Sequence, residues 1–144
     1  MSQGYLNPPI DEDNAGFWEA ARQGQLCVEQ CTGCSALRFP PRPMCPKCRD
    51  TGRRWQPVSG RGSLWSFVLP HPPLLPEFTD LAPYNVIVVA LSEDPTLRMI
   101  GNLVNEPGDP INAFDPNRIE IDAPVRVVFE AVSDSLHLPR WVLA

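Results

Sequence analysis

The chain has 144 residues and a formal net charge of −5. That is room for one domain, or for a small domain with a metal-stapled appendage. No apolar run approaches the roughly 18 residues of a membrane-spanning helix. The polar, acidic stretch 1–13 lacks the basic-then-apolar order of a secretion signal, so a cytoplasmic location is expected.

In chain order, residues 1–13 read as a disordered or draped tail. Asn14 to Gly24 reads as a short helix, capped by Asp13 or Asn14 and ended by Gly24. Phe17, Ala20, Ala21 and Gly24 fall on one side of it with Trp18 close by, and the aromatic pair is either part of a small core or, the reading favoured here, an anchor for a partner. Gln25 to Gln30 reads as a short strand.

Two Cys-x-x-Cys pairs follow, Cys31-Thr32-Gly33-Cys34 and Cys45-Pro46-Lys47-Cys48, ten residues apart. Each pair bends into a knuckle that points two sulfurs the same way. Two facing knuckles therefore supply four thiolates at tetrahedral corners, the pattern of a zinc ribbon. Gly33 is expected to take the positive φ of the first knuckle. Two disulfides are the alternative, and nothing marks the chain as secreted. Iron also occupies such sites. Four thiolates around zinc leave no open coordination position, so the metal reads as a structural staple. Cys27 does not fit a knuckle and is expected to be a free, buried thiol.

Leu37 to Met44 is proline-rich and extended, and Thr51 to Val58 leaves the ribbon with Trp55 packed under it. From Gly60 the pattern changes to strands at Ser63–Leu69, Tyr84–Leu91, Leu97–Val104, Val125–Glu130 and Pro139–Leu143. Between the first two lies a stiff apolar loop, Pro70 to Phe78. Residues 105–122 are turn-rich. Five strands of this size suit a small closed barrel, of which the OB-fold is the commonest form. The fold class is thus mainly β: an N-terminal segment over 1–24, a ribbon over 25–58 and a barrel over 59–144.

Charge divides unevenly between these parts. Eight of the twelve basic residues lie between Arg22 and Arg61, opposed only by Glu29 and Asp50. Residues 62–144 hold four arginines and eleven acidic residues. A barrel this acidic repels a phosphate backbone, which argues against the main alternative, a single-strand nucleic-acid binder stacking bases on Trp65, Phe67 and Trp141. No catalytic constellation is visible: His71 and His137 read as bystanders, and Ser66 and Ser133 lack an implied base.

The order of these features resembles the domain-of-unknown-function 35 family. The resemblance rests on Phe17-Trp18, Gly24-x-Leu26, the two cysteine pairs around Pro40-Pro41-Arg42, Gly60-x-Gly62-x-Leu64-x-Ser66-Phe67, residues Leu97 to Val104, and Pro124-Val125-Arg126-Val127-Val128-Phe129. Ser35 departs from it, because the family usually has glycine after the second cysteine. The resemblance implies a rubredoxin-like zinc ribbon joined to an OB-fold, with one structural zinc on Cys31, Cys34, Cys45 and Cys48. It also implies a non-catalytic accessory subunit of a thiolase-fold aldolase or thiolase, in a heterotetramer that acts in steroid side-chain or lipid degradation. A subunit of an acyl-CoA hydratase is the neighbouring alternative. Carbon–carbon chemistry would belong to the partner, and acyl-CoA would be a shared substrate. Arginine forks suit the phosphates of coenzyme A, which makes Arg38, Arg42, Arg53, Arg54 and Arg61 the candidates. Phe17, Trp18, Phe39, Leu74, Leu75 and Phe78 are the candidate partner contacts.

Overall fold

The computed structural model describes residues 6–144; the first five residues of the expected tail lie outside the described part. Helix α1 (Ala15–Arg22) leads to a three-stranded sheet of β1 (Cys27–Cys31), β2 (Leu37–Arg38) and β3 (Arg53–Pro57), in the order β2-β1-β3. Strands β4 (Arg61–Val68), β5 (Val86–Leu91), β6 (Arg98–Gly101), β7 (Pro124–Ala131) and β8 (His137–Leu143) form a second antiparallel sheet in the order β6-β5-β4-β7-β8. A short helix, α2 (Pro76–Thr79), interrupts the loop after β4. This helix falls inside the segment expected to be a stiff loop. Proline suits the first position of a helix, where its fixed φ is helical and its missing N–H is not needed.

The helix at Ala15–Arg22 has Asn14 at its N-cap position, but Asn14 makes no side-chain cap. Its side-chain oxygen instead accepts from the Asp11 amide at 2.8 Å. Gly24 ends the helix with φ +79°, as its position after the last turn requires.

The second sheet curls until its edge strands meet. Leu103 and Trp141 form a parallel bridge, with Trp141 N–H donating to Asn102 and Val104 N–H donating to Trp141. Asn85, immediately before β5, pins this seam. Its side chain, buried, donates to the Leu103 carbonyl at 3.0 Å and accepts from the Leu103 amide at 2.5 Å. The strand expected from Tyr84 begins at Val86, and the Asn85 carbonyl accepts from the Asn102 side chain at 2.6 Å.

Leu64, Ile87, Val89, Leu91, Leu103, Val125 and Trp141 fill the barrel, and the same cluster continues through Val28, Leu26 and Phe17. Phe17 is therefore a core residue, and its role as a partner anchor is corrected. The reason is topological. Strand β8 returns from the far end of the chain and packs with β1 against α1, supplying a core that the local sequence does not show. Phe39 also turns inward, half-buried, with its ring centroid 5.5 Å from that of Phe17.

Candidate functional site

The four knuckle cysteines converge. Their sulfurs all lie within 4.8 Å of one another, with Cys31 and Cys48 at 3.5 Å and Cys34 and Cys45 at 3.7 Å. A disulfide holds its sulfurs at about 2.05 Å, so these are separate thiols. A tetrahedral zinc with bonds of about 2.3 Å sets its ligands roughly 3.8 Å apart, and the observed separations fit that ion. Cys27 stands outside the cluster, buried at the start of β1, where burial pushes its thiol pKa up.

The two knuckles repeat one construction. Ser35 N–H donates to Cys31 O at 3.0 Å, and Arg49 N–H donates to Cys45 O at 2.9 Å. Ser35 and Arg49 then take φ 64° and 65°. The positive φ expected at Gly33 thus falls on Ser35, one residue past the second cysteine, and Gly33 is needed for a different reason. A Cβ there would lie 2.7 Å from the Asp50 carboxylate, so glycine permits the close approach of the facing loop. The left-handed region costs a non-glycine residue about 1–2 kcal/mol, of which glycine's looser unfolded chain takes back part. Ser35→Gly is therefore expected to stabilise the zinc-loaded chain by up to about 1 kcal/mol. A lower denaturation midpoint for that variant would contradict this.

Backbone amides prepare the thiols for a cation. The Cys34 amide holds Cys31 below the usual thiol range, and the Cys48 amide leads in bringing Cys45 to about 6. Cys48 is pushed up to about 12: the Asp50 amide pulls it down, but hydrogen bonding among the neighbouring thiols more than offsets this. Zinc binds thiolates, so loading the site displaces the thiol protons.

Beneath the cluster lies Glu29, fully buried. It accepts from Arg38 Nε at 2.5 Å, from Arg53 Nη1 at 2.8 Å and from the Arg42 amide at 2.9 Å. Arg38 is itself buried, and Arg53 also holds Asp13 and the Glu12 carbonyl. Two of the five candidate phosphate ligands are therefore committed to folding the ribbon, and assigning them to coenzyme A is corrected. Arg54 is exposed and donates to Gln30 at 2.8 Å. Arg42 and Arg61 are exposed. Arg61 faces Arg126 directly across β4 and β7, and Arg126 is a cation the sequence reading passed over. Like charges placed opposite one another disfavour the sheet unless something neutralises them. The signal lay in the strand register, which only the assembled sheet reveals.

The apolar candidates separate. Trp18 packs edge-on against Phe17, centroids 4.9 Å apart, and also against the Val132, Leu136 and Leu138 cluster. Trp18 and Phe78 meet across a cavity of about 350 Å³ that also touches Leu6, Tyr84, Ile100 and Leu138. Phe78 stacks on Tyr84 at 5.8 Å. Leu75 is exposed and Leu74 half-buried, and neither lines that cavity. Of the aromatics that a nucleic-acid binder would use, Trp141 is in the core, Phe67 packs against that core, and Trp65, 48% exposed, has the Arg98 guanidinium over one face at 3.7 Å. Ser133 accepts from the amides of its own turn, and His71 bonds the Leu69 carbonyl.

Comparison with known proteins agrees with this architecture. Residues 18–52 match the ChsH2 rubredoxin-like zinc ribbon domain, and residues 55–130 match the ChsH2 C-terminal OB-fold domain. A probable enoyl-CoA hydratase alpha subunit of Thermomonospora curvata is 35% identical over 92% of this chain. The 3-oxo-4,17-pregnadiene-20-carboxyl-CoA hydratase alpha subunit of Mycobacterium tuberculosis is 30% identical over 96%. The chain spans 38% of the length of each of these two relatives. A DUF35 domain-containing scaffold protein of Methanothermobacter thermautotrophicus is 34% identical over 76% of this chain and 74% of its own length. The solved structure of an Ltp2-ChsH2(DUF35) aldolase contains a chain with 34% identity and a TM-score of 0.79, covering 95% of this chain and 98% of that one. This chain therefore belongs to the DUF35 family, as a ChsH2-type zinc ribbon followed by a ChsH2-type OB-fold.

Proposed function

We propose that this chain is the accessory, non-catalytic component of a thiolase-fold aldolase, assembled with its partner as a heterotetramer in the cytoplasm. Cys31, Cys34, Cys45 and Cys48 hold one structural zinc. Arg42 and Arg61, with Arg126 beside Arg61, meet the phosphates of an acyl-CoA, and the partner cleaves or forms the carbon–carbon bond. Lipid or steroid side-chain breakdown is the setting. The observation that carries this reading is the near full-length likeness to the chain in the Ltp2-ChsH2(DUF35) aldolase. The exposure of Arg42 and Arg61, against the commitment of Arg38 and Arg53 to Glu29, supports the choice of arginines.

Co-expression with a thiolase-fold protein is the first test, and stoichiometric co-purification is the expected result. The double variant Arg42→Ala with Arg61→Ala should then raise the complex's KM for acyl-CoA while zinc stays bound. One charge-assisted contact to a phosphate contributes about 1.5–3 kcal/mol, so its loss should weaken binding by roughly 10- to 150-fold. Unchanged kinetics would make these arginines surface charges. Equal activity on a short thioester without the nucleotide would reduce the role to scaffolding. A second reading, an accessory segment of an acyl-CoA hydratase, is favoured by the names of the two hydratase alpha subunits. Stoichiometric co-purification with a hydratase partner and not a thiolase-fold one would select it.

A further inference from the structure

Arg38 has one nitrogen left over. Its Nε serves Glu29 at 2.5 Å and its Nη2 serves the Arg42 carbonyl at 3.3 Å. Its Nη1 is buried with no hydrogen-bond partner among the described residues, on a residue only 7% exposed. A buried charged N–H without an acceptor is a costly arrangement. The strand register indicates what it faces. Arg38 is the Cα partner of Glu29 across β1 and β2. Cys31 lies two residues beyond Glu29 on β1, so its side chain leaves the same face of the strand. One guanidinium beside Glu29 is thus placed to reach both the carboxylate and the sulfur.

We propose that Arg38 Nη1–H donates a hydrogen bond to the sulfur of Cys31 when that sulfur ligates the metal, making Arg38 a positioning residue of the metal centre. The inference rests on the zinc reading above. A thiolate bound to a cation keeps lone pairs that accept from N–H groups, and such outer contacts orient the ligand and tune the metal. The same arginine holds the Arg42 carbonyl, while Glu29 holds the Arg42 amide. Metal occupancy is thereby tied, through one side chain, to the backbone position of the exposed Arg42.

Cobalt(II) substitution of the full chain tests this, because the sulfur-to-cobalt charge-transfer band reads electron density on the thiolates. The comparison is Glu29→Gln against the double variant Glu29→Gln with Arg38→Met, which leaves no uncompensated charge at either position. Loss of the donor should move the band to lower energy and speed metal release to a chelator by about 10- to 100-fold, the usual consequence of removing an outer-shell partner. Arg38→Lys keeps the pair with Glu29 but has no fork to serve both acceptors, and it should shift the band in the same direction if the double variant fails to fold. Variants that bind one metal per chain with an unmoved band and an unchanged release rate would overturn the proposal. A wild-type chain that holds no stoichiometric metal would overturn the zinc reading beneath it instead.

Discussion

Cys45→Ser should yield a chain without zinc and with an unfolded ribbon. Serine keeps its hydroxyl proton at neutral pH, whereas the Cys45 thiol is held at about 6 by the backbone around it. The substitution removes one of the four converging sulfurs. The sheet under the two knuckle loops is small. Strand β2 has two residues, and β1 and β3 have five each, and a sheet this small is marginal alone. Structural zinc binding contributes about 10–16 kcal/mol in ribbon-sized peptides, and that binding energy is folding energy. Leu26 and Val28 share the barrel's core, so the barrel side should survive. The expected result is zinc falling from one per chain to near zero, with proteolysis confined to residues 32–52. Stoichiometric zinc in the variant would refute this. So would disulfides and substoichiometric zinc in freshly purified wild type.

The metal centre could be read from the sequence because knuckle geometry is local: two residues between cysteines and one turn of backbone contain it. The β-branched run from Tyr84 to Leu91 was legible for the same reason, since period and composition are properties of a short window. What escaped is what depends on distant pairing. The burial of Phe17 needs β8, whose strand begins 120 residues later. The opposition of Arg61 and Arg126 needs the β4–β7 register. Glu29 was readable in principle. Residues 27, 29 and 31 share one face of a strand, and both cysteines on that face are buried. A carboxylate between them must be buried too and requires cations. Arg38 and Arg53, assigned to a ligand by charge alone, are those cations. The surroundings of the candidate partner contacts were hardest to place, because Trp18 and Phe78 come together across a cavity assembled from both ends of the chain.

Glu29→Ala should destabilise the chain by about 3–5 kcal/mol, the cost of removing one partner from a buried ion pair. The glutamate is 0% exposed and Arg38 is 7% exposed, so the arginine cannot reach water when its carboxylate is gone. Arg53 can. Its side chain is 24% exposed and keeps a second acceptor in Asp13 at 3.3 Å, so Arg53→Ala should cost less than Glu29→Ala. The burial order therefore sets the energetic order. Charge removal on both sides provides the control. Because buried pairs are often matched in stability by uncharged residues of similar volume, Glu29→Gln with Arg38→Met should recover most of the loss seen in Glu29→Ala. Denaturant midpoints of the zinc-loaded proteins would measure all three. If Glu29→Ala costs less than about 1 kcal/mol, the range of an exposed pair, then Glu29 is hydrated in solution and the buried network under the metal centre is not what holds the ribbon. If instead the double variant is as unstable as Glu29→Ala, the loss comes from the shape of the site and the hydrogen bond to Arg42, and not from a stranded charge.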